Sequence, residues 1–179
     1  MTTPIFDLEK TIQSALYVAE KIKVKDLHRI FKILYFADRE HLSKYGRPIT
    51  GDTYIKMERG PVPTKLYDIF KAIRGDSFFT AGNLKEYFTI HGRYFVKPEK
   101  KPNLRYLSKT DISELDDSML KYGELPHENL SKISHNAAWE YAEYSGEMAI
   151  ENILREAGDD EEYISYITEN INFQKALIS

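Results

Sequence analysis

Two polar residues in the middle of an apolar helical stripe, Asp38 and His41, are the first candidates for chemistry. An ionised carboxylate among apolar neighbours must be paired or hydrogen-bonded to be tolerated. Two roles are open to Asp38. It can accept bonds from backbone amides of the loops at 46–52 or 59–63, or pair with Arg47 or Arg59, and so lock its helix to those loops. Alternatively, Asp38 and His41 are an acid–base pair of a hydrolase. The bracing role is favoured, because spacing identifies no Ser nucleophile and no third partner.

The five histidines, at 28, 41, 91, 127 and 135, form no recognised metal spacing. There is no HExxH, and His127 and His135 do not share a helical face. No metal and no cofactor is expected. Gly60-Pro61-Val62-Pro63 lacks the glycine density and the Lys of a phosphate loop, and proline removes the amides such a cradle needs, so it reads as a rigid turn feeding a helix. Lys97, Lys100, Lys101 and Arg105, close to Tyr94 and Phe95, have the types needed to touch nucleic-acid phosphates and bases, or else form a solvated connector. No catalytic residue is assigned.

The elements that must position these residues are mostly helical. Val24 to Tyr45 carries Leu27, Ile30, Phe31, Leu34, Leu42 and Tyr45 on one face, and Ile12, Ala15, Leu16, Ala19 and Ile22 predict an earlier helix packed against it. Breakers at Gly46, Pro48 and Gly51 precede a short strand at Thr53 to Met57, and Thr64 to Arg74 resumes helical spacing with Gly75 as its stop. Tyr87 to Ile90 and Arg93 to Val96 predict a hairpin turning on His91 and Gly92, with Phe88 opposite Phe95 and Thr89 opposite Tyr94. A lone hairpin is marginal in water, so it is expected to share a sheet with the strand at 53–57. Ser108 with Asp111 three residues on, Leu107 and Ile112 at staple positions, and Gly123 mark a further helix. Helical pieces follow at His127 to His135, through Trp139, at Met148 to Glu156 and from Glu161 to about Phe173, with Gly158 and Asp159 as stop and start. The fold class is α+β, mostly α, with a small antiparallel sheet or hairpin.

Composition bounds what this architecture serves. The chain has 179 residues and no cysteine, which removes disulfides, thiolate metal sites and cysteine nucleophiles together. Asp7 and Glu9 stand where a secretory signal has its apolar stretch, and apolar runs such as Ile33 to Ala37 are far below the ~18 residues of a membrane span, so a cytoplasmic protein with no membrane partner is expected. The net charge of −3 hides an uneven division: residues 1–110 hold 21 Lys and Arg against 12 Asp and Glu, and residues 111–179 hold 4 against 16. Such halves can dock on one another, steer an oppositely charged partner, or do both.

Four blocks carry a family resemblance: Leu34-Tyr35-Phe36-Ala37-Asp38, Gly46-Arg47-Pro48-Ile49-Thr50-Gly51-Asp52, Gly60-Pro61-Val62-Pro63 and Leu66-Tyr67-Asp68. In this register the chain resembles the SocA-like antitoxin domain, also called Panacea and linked to the phage-associated GepA proteins. The resemblance is strongest over about 30–140, within residues 1–179 read as one domain with a helical, acidic extension at about 140–179. It implies a bacterial, non-enzymatic antitoxin that neutralises a cognate toxin by direct contact, and in one known member an adaptor that delivers its toxin to an ATP-dependent protease. The matched residues (Tyr35, Asp38, Gly46, Arg47, Pro48, Gly51, Asp52, Gly60, Pro61, Pro63, Leu66 and Tyr67) are read as mainly structural. Candidate partner contacts are Asp159, Asp160, Glu161 and Glu162 in the acidic third, and Lys97, Lys100, Lys101 and Arg105 after the hairpin. The alternative function is a nucleic-acid-binding transcriptional regulator.

Overall fold

The computed structural model describes residues 2–179. Its described residues form eight α-helices and two separate two-stranded antiparallel sheets, an α+β fold that is mostly α. The first helix, α1 (Leu8–Lys21), is capped by Asp7, which accepts from the Lys10 amide, and α2 (Leu27–Tyr45) is capped by Asp26, which accepts from the Arg29 amide. Thus α2 begins three residues later than the apolar pattern suggested, because the Asp26 carboxylate satisfies a helix-end amide that Val24 could not.

The centre of the fold is α2. It packs against α1, against α4 (Lys109–Tyr122), α5 (His127–Ser134) and α7 (Ile150–Ala157), and against strand β2 (Gly60–Pro63). Buried residues therefore occupy nearly its whole circumference, Arg29, Lys32, Tyr35 and Phe36 among them, rather than one stripe. Three apolar groups surround it. Leu16, Ile30, Leu34, Phe70 and Leu115 centre the largest. Tyr35, Tyr54, Leu130 and Met148 form a second. Leu42 meets Leu154, Ile164 and Ile167 in the third, where α7 and α8 (Glu161–Ile178) close over the end of α2.

The strand pairing differs from expectation. Strand β1 (Tyr54–Met57) pairs with β2, the Gly60–Pro63 segment that reads as a turn, and not with the hairpin. Pro61 and Pro63 stand opposite Lys56 and Tyr54, the alternate positions at which a missing N–H faces away from the ladder. The other edge of β1 is covered by residues 145–148, through Lys56 N–H to the Gly146 carbonyl and Met148 N–H to the Tyr54 carbonyl. Both edges being occupied, the hairpin has no place beside it.

The hairpin of β3 (Phe88–His91) and β4 (Phe95–Pro98) stands apart, with His91 opposite Phe95, Ile90 opposite Val96 and Phe88 opposite Pro98. Its turn holds residues 92–94 instead of two residues, so Phe88 does not face Phe95 and Thr89 does not face Tyr94. Tertiary contact explains this register. The Val96 amide donates to the Lys25 carbonyl at 2.7 Å and the Leu27 amide to the Tyr94 carbonyl at 2.8 Å, pinning β4 to the entry of α2 with Val96 buried and Phe95 outward.

Helix α3 spans Thr64–Arg74 and ends at Gly75, and α4 carries the reciprocal Ser108–Asp111 capping box, both as the sequence indicates. A short α6 (Ala137–Tyr141) holds Trp139. The start of α8 is set by Asp160, which accepts from the Tyr163 amide, in place of Asp159, and the helix continues to Ile178, beyond Phe173. No helix among the described residues is long and apolar enough to cross a membrane.

Candidate functional site

The four sequence blocks converge around two buried aspartates. Asp38, on α2, accepts the amides of Ile49 at 2.7 Å and Thr50 at 2.9 Å, the Tyr54 hydroxyl at 2.7 Å and the Thr50 hydroxyl. Burial pushes its carboxyl up from the usual range, and the bonds from Thr50, Tyr54 and Ile49 pull it back. Of the partners considered for Asp38, the loop at 46–52 supplies them, and neither Arg47 nor Arg59 does. His41 does not meet Asp38 in a hydrogen bond: its Nδ1 lies 2.7 Å from the Arg47 carbonyl and its Nε2 3.0 Å from the Thr110 hydroxyl.

Asp52 does the corresponding work for α3. Pro63, at the N-cap of that helix, has no side chain to cap with, and Asp52 accepts the Lys65 amide at 3.0 Å and the Leu66 amide at 2.9 Å in its place. Gly51 sits between the two aspartates with φ +68°, and a Cβ there would stand 1.9 Å from the Ile5 carbonyl oxygen. Tyr35 is fully buried against Phe36 and Tyr54, while Leu66 is in the core and Tyr67 packs edge-on to Phe31. The motif is therefore one hydrogen-bonded unit joining α2, the 46–52 loop, β1 and α3.

A further buried carboxylate lies outside the expected set. Asp111, beyond its capping role, is fully buried with Lys10 Nζ at 2.8 Å, and His41 Nε2 and Arg47 Nη1 each at 3.1 Å. Burial works to raise its carboxyl, but the contacts from His41 and Lys10 and the Ser108 amide hold it well below the usual range. Neighbouring Lys44–Glu114 and Lys21–Asp116 contacts continue the pattern. The basic half of the chain is thus partly met by acids of α4, which answers one side of the charge division.

A concavity of about 420 Å³ opens where the start of α2, the β1–β2 turn, β4 and the start of α5 meet. Phe31, Val62 and Tyr67 line it together with Tyr94, Phe95 and Tyr144, the last three largely exposed. Polar groups on its wall include Asp26, His28, Lys32, Arg59 and His127. Among these, Lys32 is 1% exposed and donates from Nζ to the Pro61 carbonyl at 2.7 Å. Gly60 makes room for it, since a Cβ there would stand 2.6 Å from Lys32 Cε and 2.2 Å from Ser134 Oγ. Burial lowers the Lys32 ammonium to about 7, with Asp26 raising it in opposition. His28 is likewise lowered, to about 4, by burial first and by Lys32 next.

The sign of the resulting pH effect follows from proton counts. The unfolded lysine titrates near ~10.4 and the folded one at about 7, so between these values the unfolded chain binds more protons and stability rises with pH. Urea unfolding at pH 7 and pH 9 should show the parent chain gaining stability relative to Lys32→Met. An unchanged difference between the two would mean that burial does not disfavour the ammonium.

The partner candidates fall elsewhere on the surface. Lys97 pairs with Glu99 at 3.0 Å and Lys100 with Glu86 at 2.7 Å, leaving Lys101 and Arg105 exposed without an ion pair among the described residues. In the acidic third, Asp160 caps α8, Asp159 accepts from the Ser43 hydroxyl at 2.9 Å and Glu161 pairs with Arg155, so Glu162 is the member with no structural contact among the described residues. No signal in the sequence singled out Asp26, Arg29 or Lys32, although the apolar residues all round α2 mark a helix buried on every side.

Neither the curated proteins nor the solved structures gave a match to this chain. A family match does exist, described as antitoxin SocA-like, Panacea domain, over residues 30–140, which includes all four blocks, both motif aspartates and Asp111. The matched stretch covers most of the chain and the structure shows its blocks bonded into one unit, so the chain belongs to the SocA-like, Panacea family of antitoxins.

Proposed function

We propose that this chain neutralises a cognate toxin by direct protein–protein contact, with the aromatic groove at the start of α2 as the docking surface. The observation that carries the reading is that this groove, lined mostly by residues of the family-matched stretch together with the start of α2 and Tyr144, leaves Tyr94 and Phe95 outward, 59% and 56% exposed. Exposed aromatics around a concavity supply the anchoring residues typical of specific interfaces, which bury ~1,600 Å² in total. The contacts that engage Asp38 and Asp111 within the fold support a binding role over one in which these two residues catalyse. A cytoplasmic site of action, a phage-associated GepA-type origin and delivery of the toxin to an ATP-dependent protease are finer readings of the same family membership. The pairing of Lys97 and Lys100 with acids favours the protein partner over nucleic acid.

Co-expression with the product of the adjacent gene tests the proposal, scored by growth rescue and by co-purification on one tagged partner. Rescue with a stable complex is the expected result. Rescue without a complex points to delivery for degradation, and a harmless neighbour that does not co-purify removes the reading. In the complex, Tyr94→Ala with Phe95→Ala should raise Kd by about tenfold or more, as for truncated interface anchors. Reversing Glu162 to Lys should weaken binding to a basic toxin, and unchanged affinity would take the acidic third out of the interface.

A further inference from the structure

The starts of α2 and α5 bring Asp26 and His28, two residues apart, together with His127, about a hundred residues further along the chain. Asp26 caps α2 through Oδ1, which accepts the Arg29 amide at 2.9 Å, and its other oxygen, Oδ2, lies 3.1 Å from Nε2 of His127 on α5. The His28 ring stacks on the His127 ring with centroids 4.9 Å apart and planes 14° from parallel. One ligand atom from each of Asp26, His28 and His127 lies within 4.8 Å of the others.

His28 has the arrangement of a ligand already fixed in one tautomer. Its Nε2 is 3.1 Å from the Arg59 carbonyl, which can only accept, so Nε2 carries the proton and Nδ1 keeps its lone pair. That Nδ1 is buried with no hydrogen-bond partner. A backbone carbonyl holding one imidazole nitrogen while the other stays free is the support that metal-binding histidines use, and the Arg29 amide orients the Asp26 carboxylate in the same way.

We propose that Asp26, His28 and His127 form a binding site for a divalent transition-metal ion of the zinc class, with at least one coordination position open to the groove. Two imidazoles and one carboxylate are a known three-ligand set for such ions, and they leave a position for water or an incoming side chain. Asp26 Oδ2 and His127 Nε2, 3.1 Å apart, already stand as close as bonds of ~2.0–2.2 Å to one ion require, and rotation of the half-exposed His127 ring allows adjustment toward His28. Arg29, with Nε 3.6 Å from Oδ2, and the nearby Lys32 oppose a cation and weaken its binding. The site is independent of the toxin proposal, and the chain alone suffices to test it.

The test is titration of the untagged, chelator-treated chain with Zn²⁺ by calorimetry and with Co²⁺ by visible absorption, beside His28→Ala, His127→Ala and His91→Ala. The expected result is one-to-one binding with a tetrahedral or five-coordinate Co²⁺ spectrum, weakened at least tenfold in the first two variants and unchanged in His91→Ala, whose ring is on the exposed hairpin tip. The melting temperature should rise by about 5–10 °C at a hundredfold excess of Zn²⁺ over Kd. His127→Ala without metal should melt close to the parent chain, which separates loss of the site from loss of the fold. No saturable binding, or binding that survives His127→Ala or disappears in His91→Ala, overturns the proposal.

Discussion

Asp38→Ala should lower the stability of the chain by about 4 kcal/mol or more, because it strips four donors of their shared acceptor in a site that water does not reach. Each orphaned buried donor costs about 1–3 kcal/mol, and the partial collapse of the 46–52 loop limits the sum. Asp38→Asn keeps the shape but replaces one accepting oxygen with an NH₂ group, which would face a donor from Thr50, Tyr54 or Ile49, and should cost somewhat less. Urea unfolding measures both. The bracing role also predicts that toxin binding falls in proportion to the folded fraction. Lost neutralisation with an unchanged melting temperature would show that Asp38 acts on a partner instead.

Asp111→Ala is the second large effect, expected at about 3 kcal/mol, since it removes the N3 member of the α4 capping box and leaves the largely buried Lys10 and the part-exposed Arg47 without their shared carboxylate. This prediction has its own pH signature. The folded carboxyl is held below its unfolded value of ~3.9, so the stability it contributes is complete above that value and is lost as pH falls through and below it. Asp111→Ala should therefore remove part of the slope from the acid limb of a stability–pH curve, while Lys32→Met changes the limb above pH 7. A parent-like acid limb in Asp111→Ala would show that the Lys10, His41 and Arg47 contacts contribute nothing net. Asp38 joins elements of the family-matched stretch and Asp111 ties α4 to α1 and to the end of α2, so both variants should weaken toxin neutralisation through the fold.

The two aspartates were not equally legible. Asp38 was visible because a carboxylate inside an apolar stripe demands donors, and the glycine-rich loop that follows α2 was the nearest supply. Asp111 was visible only as a capping residue: its Lys10 and His41 contacts join positions 101 and 70 residues away, and no local pattern announces them. The charge imbalance between the halves did indicate docking of acid on base, and α4 carries it out, whereas most acids beyond residue 140 remain at the surface.

The sequence by itself determined the helices whose ends are written in local chemistry. Thr64–Arg74 with Gly75, and Lys109–Tyr122 with its Ser108–Asp111 box, need only neighbours within one turn to satisfy their end groups. It also determined the family, because four short blocks in register are a one-dimensional signal. Tertiary structure alone decided the strand partners, since the Gly60–Pro63 segment becomes a strand only when β1 lies beside it and Lys32 reaches the Pro61 carbonyl. It decided the hairpin register, which the entry of α2 fixes through Val96 and Tyr94. And it alone brought Asp26 and His28 to His127, across about a hundred residues, because the starts of two helices meet only after α2 has been enclosed on every side.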